Sequence, residues 1–359
     1  MKKVKVLVGL SGGIDSSVSA LILKEKGYDV AGLFMKIFDE KNKKFVSYKS
    51  SCYGPEEKDL EDVEKVCKIL NIPLYIIDLR KEYDEVVLKY FKDEYLKGRT
   101  PNPCVICNRF LKFDALIKKA FSFGLDFDYF ATGHYARVEY NEKRKRYILR
   151  KGIDVEKDQS YFLFLLTQEQ LSKIIFPLGE YTKSWVKEIG KKYGLPLMDK
   201  EESQDFIKGD RFFIFRNGIK TGLIVDKNGN ILGKHRGIIY YTIGQRKGLG
   251  ISVGKPLYVI EINGERNRVV VGEEKDLYKN GVIVDNVNLI SIEKIENQME
   301  VEIKIRYKHT PAKAVIKPLD EKKVIVTFKN PQKAPTPGQA AVFYLNDEVV
   351  GGGFISSVF

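Results

Sequence analysis

Val4-Lys5-Val6-Leu7-Val8-Gly9-Leu10 runs straight into Ser11-Gly12-Gly13-Ile14-Asp15-Ser16-Ser17. The apolar run predicts a buried strand, and Ser16–Lys26 predicts a helix directly after it. A glycine turn at such a junction aims backbone N–H groups and a positive dipole end at an anion. Gly12 and Gly13 allow close approach, and Ser11, Ser16 and Ser17 add hydroxyls. An ordinary strand–helix turn with a serine cap would use the same residues, but the place after the first strand suits a phosphate loop. It is no Walker loop, since Gly-x4-Gly-Lys-Ser/Thr is missing; Gly229–Gly233-Lys234-His235 has the wrong spacing.

Outward from this junction, strands and helices alternate. Strands are expected at Val30–Ile37, Leu74–Ile77 and Tyr129–Thr132. Helices are expected at Glu57–Leu70, Glu82–Leu96, Cys107–Phe123, Tyr161–Ile175 and Lys183–Tyr193. Largely apolar strands between amphipathic helices predict an α/β, doubly wound parallel sheet. Past Pro196 the pattern becomes short strands with hairpin signals at Asn228-Gly229, Asn263-Gly264 and Asn346-Asp347. Met299–Tyr307, Val324–Phe328 and Ala341–Leu345 read as strands. The expected division is residues 1–200, then two smaller β-rich domains at 205–278 and 280–359, the last barrel-like.

The 359 residues carry 61 Lys+Arg against 48 Asp+Glu, a net +13. Residues 205–260 hold ten basic and three acidic residues, a net +7, which suits a polyanion better than general solvation. Apolar runs are far shorter than the ~20 residues that span a bilayer. Without a signal-like start either, the expectation is a cytoplasmic protein. Four cysteines are too few for a disulfide framework. Cys67 shares a helical face with Val63, Val66 and Leu70 and is expected to be a core thiol.

Ser-Gly-Gly-x-Asp-Ser after the first strand resembles the loop of the N-type ATP pyrophosphatases, which cleave ATP between the α and β phosphates. Further motifs follow in order. They are Gly98-Arg-Thr-Pro-Asn-Pro-Cys-Val-Ile-Cys-Asn108, Ala131-Thr-Gly-His-Tyr-Ala-Arg137, Lys157-Asp-Gln-Ser-Tyr-Phe162 and Tyr241-Thr-Ile-Gly-Gln-Arg-Lys-Gly-Leu-Gly250. Arg306-Tyr307, Thr336-Pro-Gly-Gln-Ala-Ala-Val342 and Gly351-Gly-Gly353 complete the set. Together they resemble the tRNA-specific 2-thiouridylase family over essentially the whole chain. The resemblance implies ATP with Mg²⁺ as cofactors and 2-thiolation of the wobble uridine in a tRNA anticodon arm. It places ATP on Gly9, Leu10, Ser11, Gly12, Gly13, Ile14, Asp15 and Ser16, with Met35 and Gly133. Asn102, Pro103 and Cys104 would meet the base. Lys157, Asp158, Gln159, Arg306 and Tyr307 would contact tRNA, and the basic pair Arg246 and Lys247 is expected on its phosphates. Arg306 could instead be only the solvent face of an alternating strand. A tRNA lysidine synthetase would need no thiol, and an inactive tRNA-binding homologue would need no intact phosphate loop.

In the family the Cys of Pro-x-x-x-Cys-Asn is the nucleophile, here Cys107. The expected helix start near Cys107 would lower its pKa. Two departures stand out. The family usually has Asp where this chain has Cys104, and its second cysteine is missing from Ser203-Gln-Asp-Phe-Ile-Lys208. The usual two-cysteine persulfide relay therefore does not carry over intact. Cys52, Cys104 and Cys107 could hold a 4Fe-4S cluster that carries sulfide. Alternatively Cys104 could resolve a persulfide on Cys107 by forming a disulfide, or neither could hold. The sulfur donor is left open between a cysteine desulfurase, a relay protein and free sulfide. His134 could be catalytic or a structural hydrogen-bonding residue.

Overall fold

The computed structural model describes residues 3–44, 53–195, 206–207, 211–215 and 219–359. The chain forms two compact units: residues 1–87, 104–211 and 347–349, and residues 88–103, 212–346 and 350–359.

The first unit holds β1 (Lys5–Leu10), β2 (Asp29–Lys36), β3 (Leu74–Asp78), β4 (Tyr129–Ala131), β5 (Ala136–Asn141), β6 (Arg146–Lys151) and β7 (Ile174–Ile175). Its sheet runs β3-β2-β1-β4-β7, every pairing parallel. The winding starts at β1, leaves through β2 to β3, and returns to the other side of β1 at β4. Right-handed crossovers then place helices Ile14–Glu25 and Glu57–Leu70 on one face. The helix leading back into β4 falls on the other. The reversal between β1 and β4 is the switch point where such sheets bind ligands, at the strands' carboxyl ends.

Burial explains these elements. Val6, Val8 and Leu10 of β1 pack with Val18, Leu21 and Ile22, and with Val63, Val66, Cys67 and Leu70. The Glu57–Leu70 helix has the expected bounds and ends on Asn71 in the left-handed region. Cys67 is the expected core thiol, and burial pushes its pKa up to about 11. Among the described residues no helix is long and apolar enough to cross a membrane.

Two expectations fail, and one element was not expected. Tyr161–Ile175 is not one helix: a short 3-10 turn at Ser160–Phe162 is followed by a four-residue helix, Gln168–Leu171, and then β7. Thr167 starts that new helix with a capping box through Gln170. The β5–β6 hairpin was not foreseen; its turn has no glycine, and Lys145 takes φ 50°. The helix expected from Cys107 already begins at Pro103, in helical turn Pro103–Ile106, and widens into π geometry over Cys107–Ala115.

Glu56 ties off the end of β2 by accepting the N–H groups of Ile37 and Phe38 at 2.7 and 3.0 Å. Its other carboxylate oxygen is buried with no partner among the described residues. Burial raises its pKa from 4.5 to about 7. A carboxyl that holds its proton more tightly when folded contributes stability that is full below about 4.5 and lost as pH rises to about 7. Glu56→Gln keeps the acceptor and removes the titration. Its stability relative to wild type should therefore grow by about 2–3 kcal/mol between pH 5 and pH 8, of the order the shift allows. Parallel unfolding curves for the two proteins at both pH values would refute this.

In the second unit, β8 (Gly222–Val225), β9 (Ile231–His235), β10 (Tyr258–Asn263) and β11 (Arg268–Gly272) form a sheet ordered β10-β11-β8-β9. Asn228-Gly229 and Asn263-Gly264 occupy the two hairpin turns, as expected. β12 (Tyr278–Leu289), β13 (Met299–Lys304), β14 (Ala312–Pro318), β15 (Val324–Lys333), β16 (Ala340–Leu345) and β17 (Glu348–Val358) follow in the order β12-β15-β14-β13-β16-β17. Pairing of β12 with β17 closes six strands into a barrel around Val282, Ile303, Ile316, Val326 and Phe343.

Candidate active site

Strand β1 ends at Leu10, and the helix after it starts at Ile14 with Gly13 as its cap and no side chain capping it. The first helical N–H groups thus point out of the sheet without a side-chain acceptor, as an anion site requires. Gly12 has φ +70°, and a Cβ there would lie 2.8 Å from the Asp59 carbonyl oxygen. The hydroxyls of Ser16 and Ser17 both donate to the Gly13 carbonyl, at 3.0 and 2.9 Å. The Ser11 N–H donates to Ser16 Oγ at 3.2 Å. Ser16 and Ser17 therefore brace the turn, whereas Ser11 is exposed.

Gly133, just past β4, lies against this turn. A Cβ on it would stand 2.7 Å from Ser16 N and 2.8 Å from the Asp15 carbonyl carbon. The end of β1 and the residues just past β4 thus meet, with Gly9 on β1 and Gly133 two residues beyond β4. Met35 lies near the end of β2, half-buried.

Asp15 takes hydrogen bonds from Tyr135 Oη at 2.7 Å and from Lys183 Nζ at 2.7 and 2.8 Å. Sequence reasoning missed both partners. One signal was available for Lys183, which follows the Thr182 cap at the first position of helix Lys183–Lys192. A cation there opposes the helix dipole, so it calls for a nearby anion. Lys183 is 7 % exposed. Lys183→Met leaves Asp15 with Tyr135 alone; because Asp15 is only partly buried, the loss is about 1–3 kcal/mol, below the full value for a buried pair. The variant should also bind ATP less tightly. Adding Asp15→Asn should restore most of the stability, and a double variant as unstable as the single one would refute the pairing.

His134 sits beside Phe113 and Phe176, with Nδ1 2.7 Å from Thr132 Oγ1. Burial, and secondarily Lys112, hold its pKa well below 6.5, so the ring is neutral at pH 7. It cannot serve there as a standing imidazolium donor.

Pro103 occupies the first helical position, which suits its fixed φ and missing N–H. Cys104, not Cys107, therefore lies in the first turn, where the dipole acts on a thiol. Cys107 opens the π segment one turn later, and both thiols are half-buried. Three residues apart on a helix, they share a face. Among the described residues no group of three Cys, His, Asp or Glu could hold a metal. Cys52 lies outside the described residues, as do Ser203, Gln204, Asp205 and Lys208.

The other expected tRNA residues divide. Asp158 is buried, and its carboxylate accepts from Gly152 N, Ser160 N and Ser160 Oγ. Gln159 Oε1 accepts the Tyr135 N–H. These two order the backbone beside Lys157. In the second unit, Asn102 is 8 % exposed. Arg246 and Lys247 are exposed in a glycine-flanked loop. Arg306 is exposed in a turn after β13 rather than on the strand, beside half-buried Tyr307. Of the other basic residues there, Lys227 pairs with Asp276 and Lys255 with Glu273.

A parallel sheet with a glycine turn and an uncapped helix start at its switch point, and two thiols on one helix of the same unit, defines an α/β class with a ready anion site. The chain belongs to the tRNA-specific 2-thiouridylase family. It is 50% identical over 98% of its length to tRNA-specific 2-thiouridylase MnmA 1 of Caldanaerobacter subterraneus subsp. tengcongensis, covering 97% of that protein. It is 48% identical to MnmA of Acetivibrio thermocellus (99% and 100% covered) and 47% identical to MnmA of Clostridium perfringens (100% and 100%). Family models match as a tRNA methyl transferase HUP domain at residues 4–208, a tRNA methyl transferase PRC-barrel domain at 211–273 and an aminomethyltransferase beta-barrel domain at 279–355. A solved 4-thiouridine synthetase–RNA complex with bound ATP aligns at TM-score 0.35 and 19% identity, covering 59% of this chain and 46% of that one.

Proposed function

We propose that this enzyme 2-thiolates the wobble uridine of tRNA in the cytoplasm, with ATP as activator and Cys107 as the sulfur carrier. The observation that carries it is the seat of Gly133 on Asp15–Ser16 beside an uncapped helix start. Mg²⁺ would arrive on the ATP phosphates, because Asp15 of the loop is already held by Lys183 and Tyr135. Its charge would ease departure of pyrophosphate.

The uridine C2 oxygen attacks the α-phosphorus, N3 loses its proton, and pyrophosphate leaves. The terminal sulfur of a persulfide on Cys107 then attacks C2, and AMP departs with the oxygen. The Cys104 thiolate attacks Cys107 Sγ, forming a Cys104–Cys107 disulfide and leaving the electron pair and sulfur on C2. N3 regains a proton. A persulfide donor reloads Cys107 after a dithiol returns two electrons to the disulfide. The turn spacing of the two thiols on one helix supports this order.

Electrostatic binding of the anticodon arm would fall to Arg246, Lys247 and Arg306. The extruded uridine would meet Asn102, Pro103 and Cys104. A methyl transferase, the description attached to two of the family models, would consume S-adenosylmethionine instead. The test incubates the chain with unmodified tRNA, ATP and a persulfide donor. AMP that depends on tRNA, with a 2-thiolated nucleoside, is expected. AMP formed equally without tRNA, or methylation without ATP cleavage, would overturn the reading.

A further inference from the structure

We propose that Gln339 is a positioning residue for the segment that carries Asn102 and leads into Cys104, an inference that rests on the proposed function. Gly98–Asn102 has no regular structure of its own, yet it joins helix Lys89–Leu96 to the helix of the two thiols. Both N–H groups of the Gln339 amide are available to its backbone: Nε2 lies 3.1 Å from the Thr100 carbonyl oxygen and 3.3 Å from that of Pro101. Thr100 N in turn donates to Pro337 O at 2.9 Å.

The turn that holds Gln339 is itself fixed by the barrel. Gly338 N donates to Ile355 O at 2.8 Å, Ile355 N to Gln339 O at 2.9 Å, and Gln339 N to Thr336 O at 3.1 Å. Gly338 has φ +90°, and a Cβ there would come within 2.9 Å of Arg99 Cβ and the Thr100 oxygen. The β10–β11 hairpin braces the same segment at its start. A Cβ on Gly98 would lie 2.6 Å from Ile262 O, and one on Gly264 would lie 2.5 Å from the Lys97 carbonyl carbon.

Two consecutive carbonyls oriented by one amide fix the peptide planes leading into Asn102, whose N–H reaches Tyr90 Oη at 3.4 Å. The barrel thereby sets the aim of Asn102, which is proposed to meet the base. Side-chain filling of a barrel would need no donor pair directed at a neighbouring loop.

The test uses the full chain with Gln339→Ala, Gln339→Glu and Gly338→Ala. Glu is isosteric but sets a carboxylate against two carbonyls, so the expected order is wild type, then Ala, then Glu. Single-turnover thiolation should fall by at least about tenfold in the Glu variant, since misplacement near 1 Å can cost up to ~100-fold. The tRNA Kd and hydrogen-exchange protection of β13 and β16 should stay as in wild type, while the Thr100 amide exchanges faster. Wild-type exchange at Thr100 in Gln339→Glu would overturn the proposal. So would a loss of thiolation that tracks tRNA affinity or barrel protection. Exchange at Thr100 is independent of the reaction, so it judges Gln339 even where a wild type without thiolation has overturned the proposed function.

Discussion

Alanine at position 133 is expected to lower tRNA-dependent AMP formation by at least about 100-fold, the size a 1 Å displacement at a reacting centre can reach. The new Cβ would meet Ser16 N at 2.7 Å and the Asp15 carbonyl carbon at 2.8 Å. Both are backbone atoms at a helix start, so relief requires the loop or the end of β4 to move. Either movement displaces the N–H groups that would hold the phosphates. Affinity for tRNA should stay within about twofold, because the proposed phosphate contacts, Arg246 and Lys247, lie elsewhere, and nonspecific phosphate binding is the larger share of such affinity. Gly13→Ala is the companion variant. Its Cβ would meet only Ser11 Oγ, at 3.7 Å, which is ordinary contact. The protein should accept it, so any loss of ATP affinity there reports the ligand's own approach. Full AMP formation by Gly133→Ala would remove the geometric basis of the ATP site.

The strand-to-helix junction was legible because its residue types have few other uses together. An apolar run, two glycines and an acidic helix start leave little choice of local geometry, and β1 and its helix formed within two residues of expectation. Helix Glu57–Leu70 was legible because only one face is apolar. Tyr161–Leu166 misled for the opposite reason. Tyr161, Leu163, Phe164 and Leu166 are all buried, and a segment buried on every side carries no period. The β5–β6 turn is a run of charged residues, so it lacked the usual hairpin mark, and Lys145 adopts the left-handed conformation that glycine normally supplies. Pro103 did mark the true helix start and was passed over. The Lys183–Asp15 pair could not be derived, since 168 residues separate its members. Only the fold makes that contact, and the same holds for Gln339 and Thr100.

Serine at position 107 should abolish 2-thiouridine while leaving AMP release dependent on tRNA. A hydroxyl cannot carry a sulfane sulfur, yet activation of the C2 oxygen needs only the phosphate loop and the base. Water would then discharge the activated uridine, so AMP formation should persist at a reduced rate with no net change in the tRNA. Cys104→Ser should behave differently. Sulfur still reaches C2 from Cys107, but nothing attacks Cys107 Sγ, so the tRNA stays joined to the protein through a C2–S–S–Cys107 linkage. A covalent adduct that dithiothreitol releases as 2-thiouridylated tRNA is the expected signature, read on a non-reducing gel. It follows from the two thiols standing one turn apart on the helix that starts at Pro103. Equal loss of AMP in both variants would tie the thiols to activation rather than transfer, against the proposed order. Cys52→Ser separates the remaining alternative. The two-thiol order requires it to transfer sulfur as wild type does, whereas a three-thiolate cluster requires it to lose bound iron and activity together.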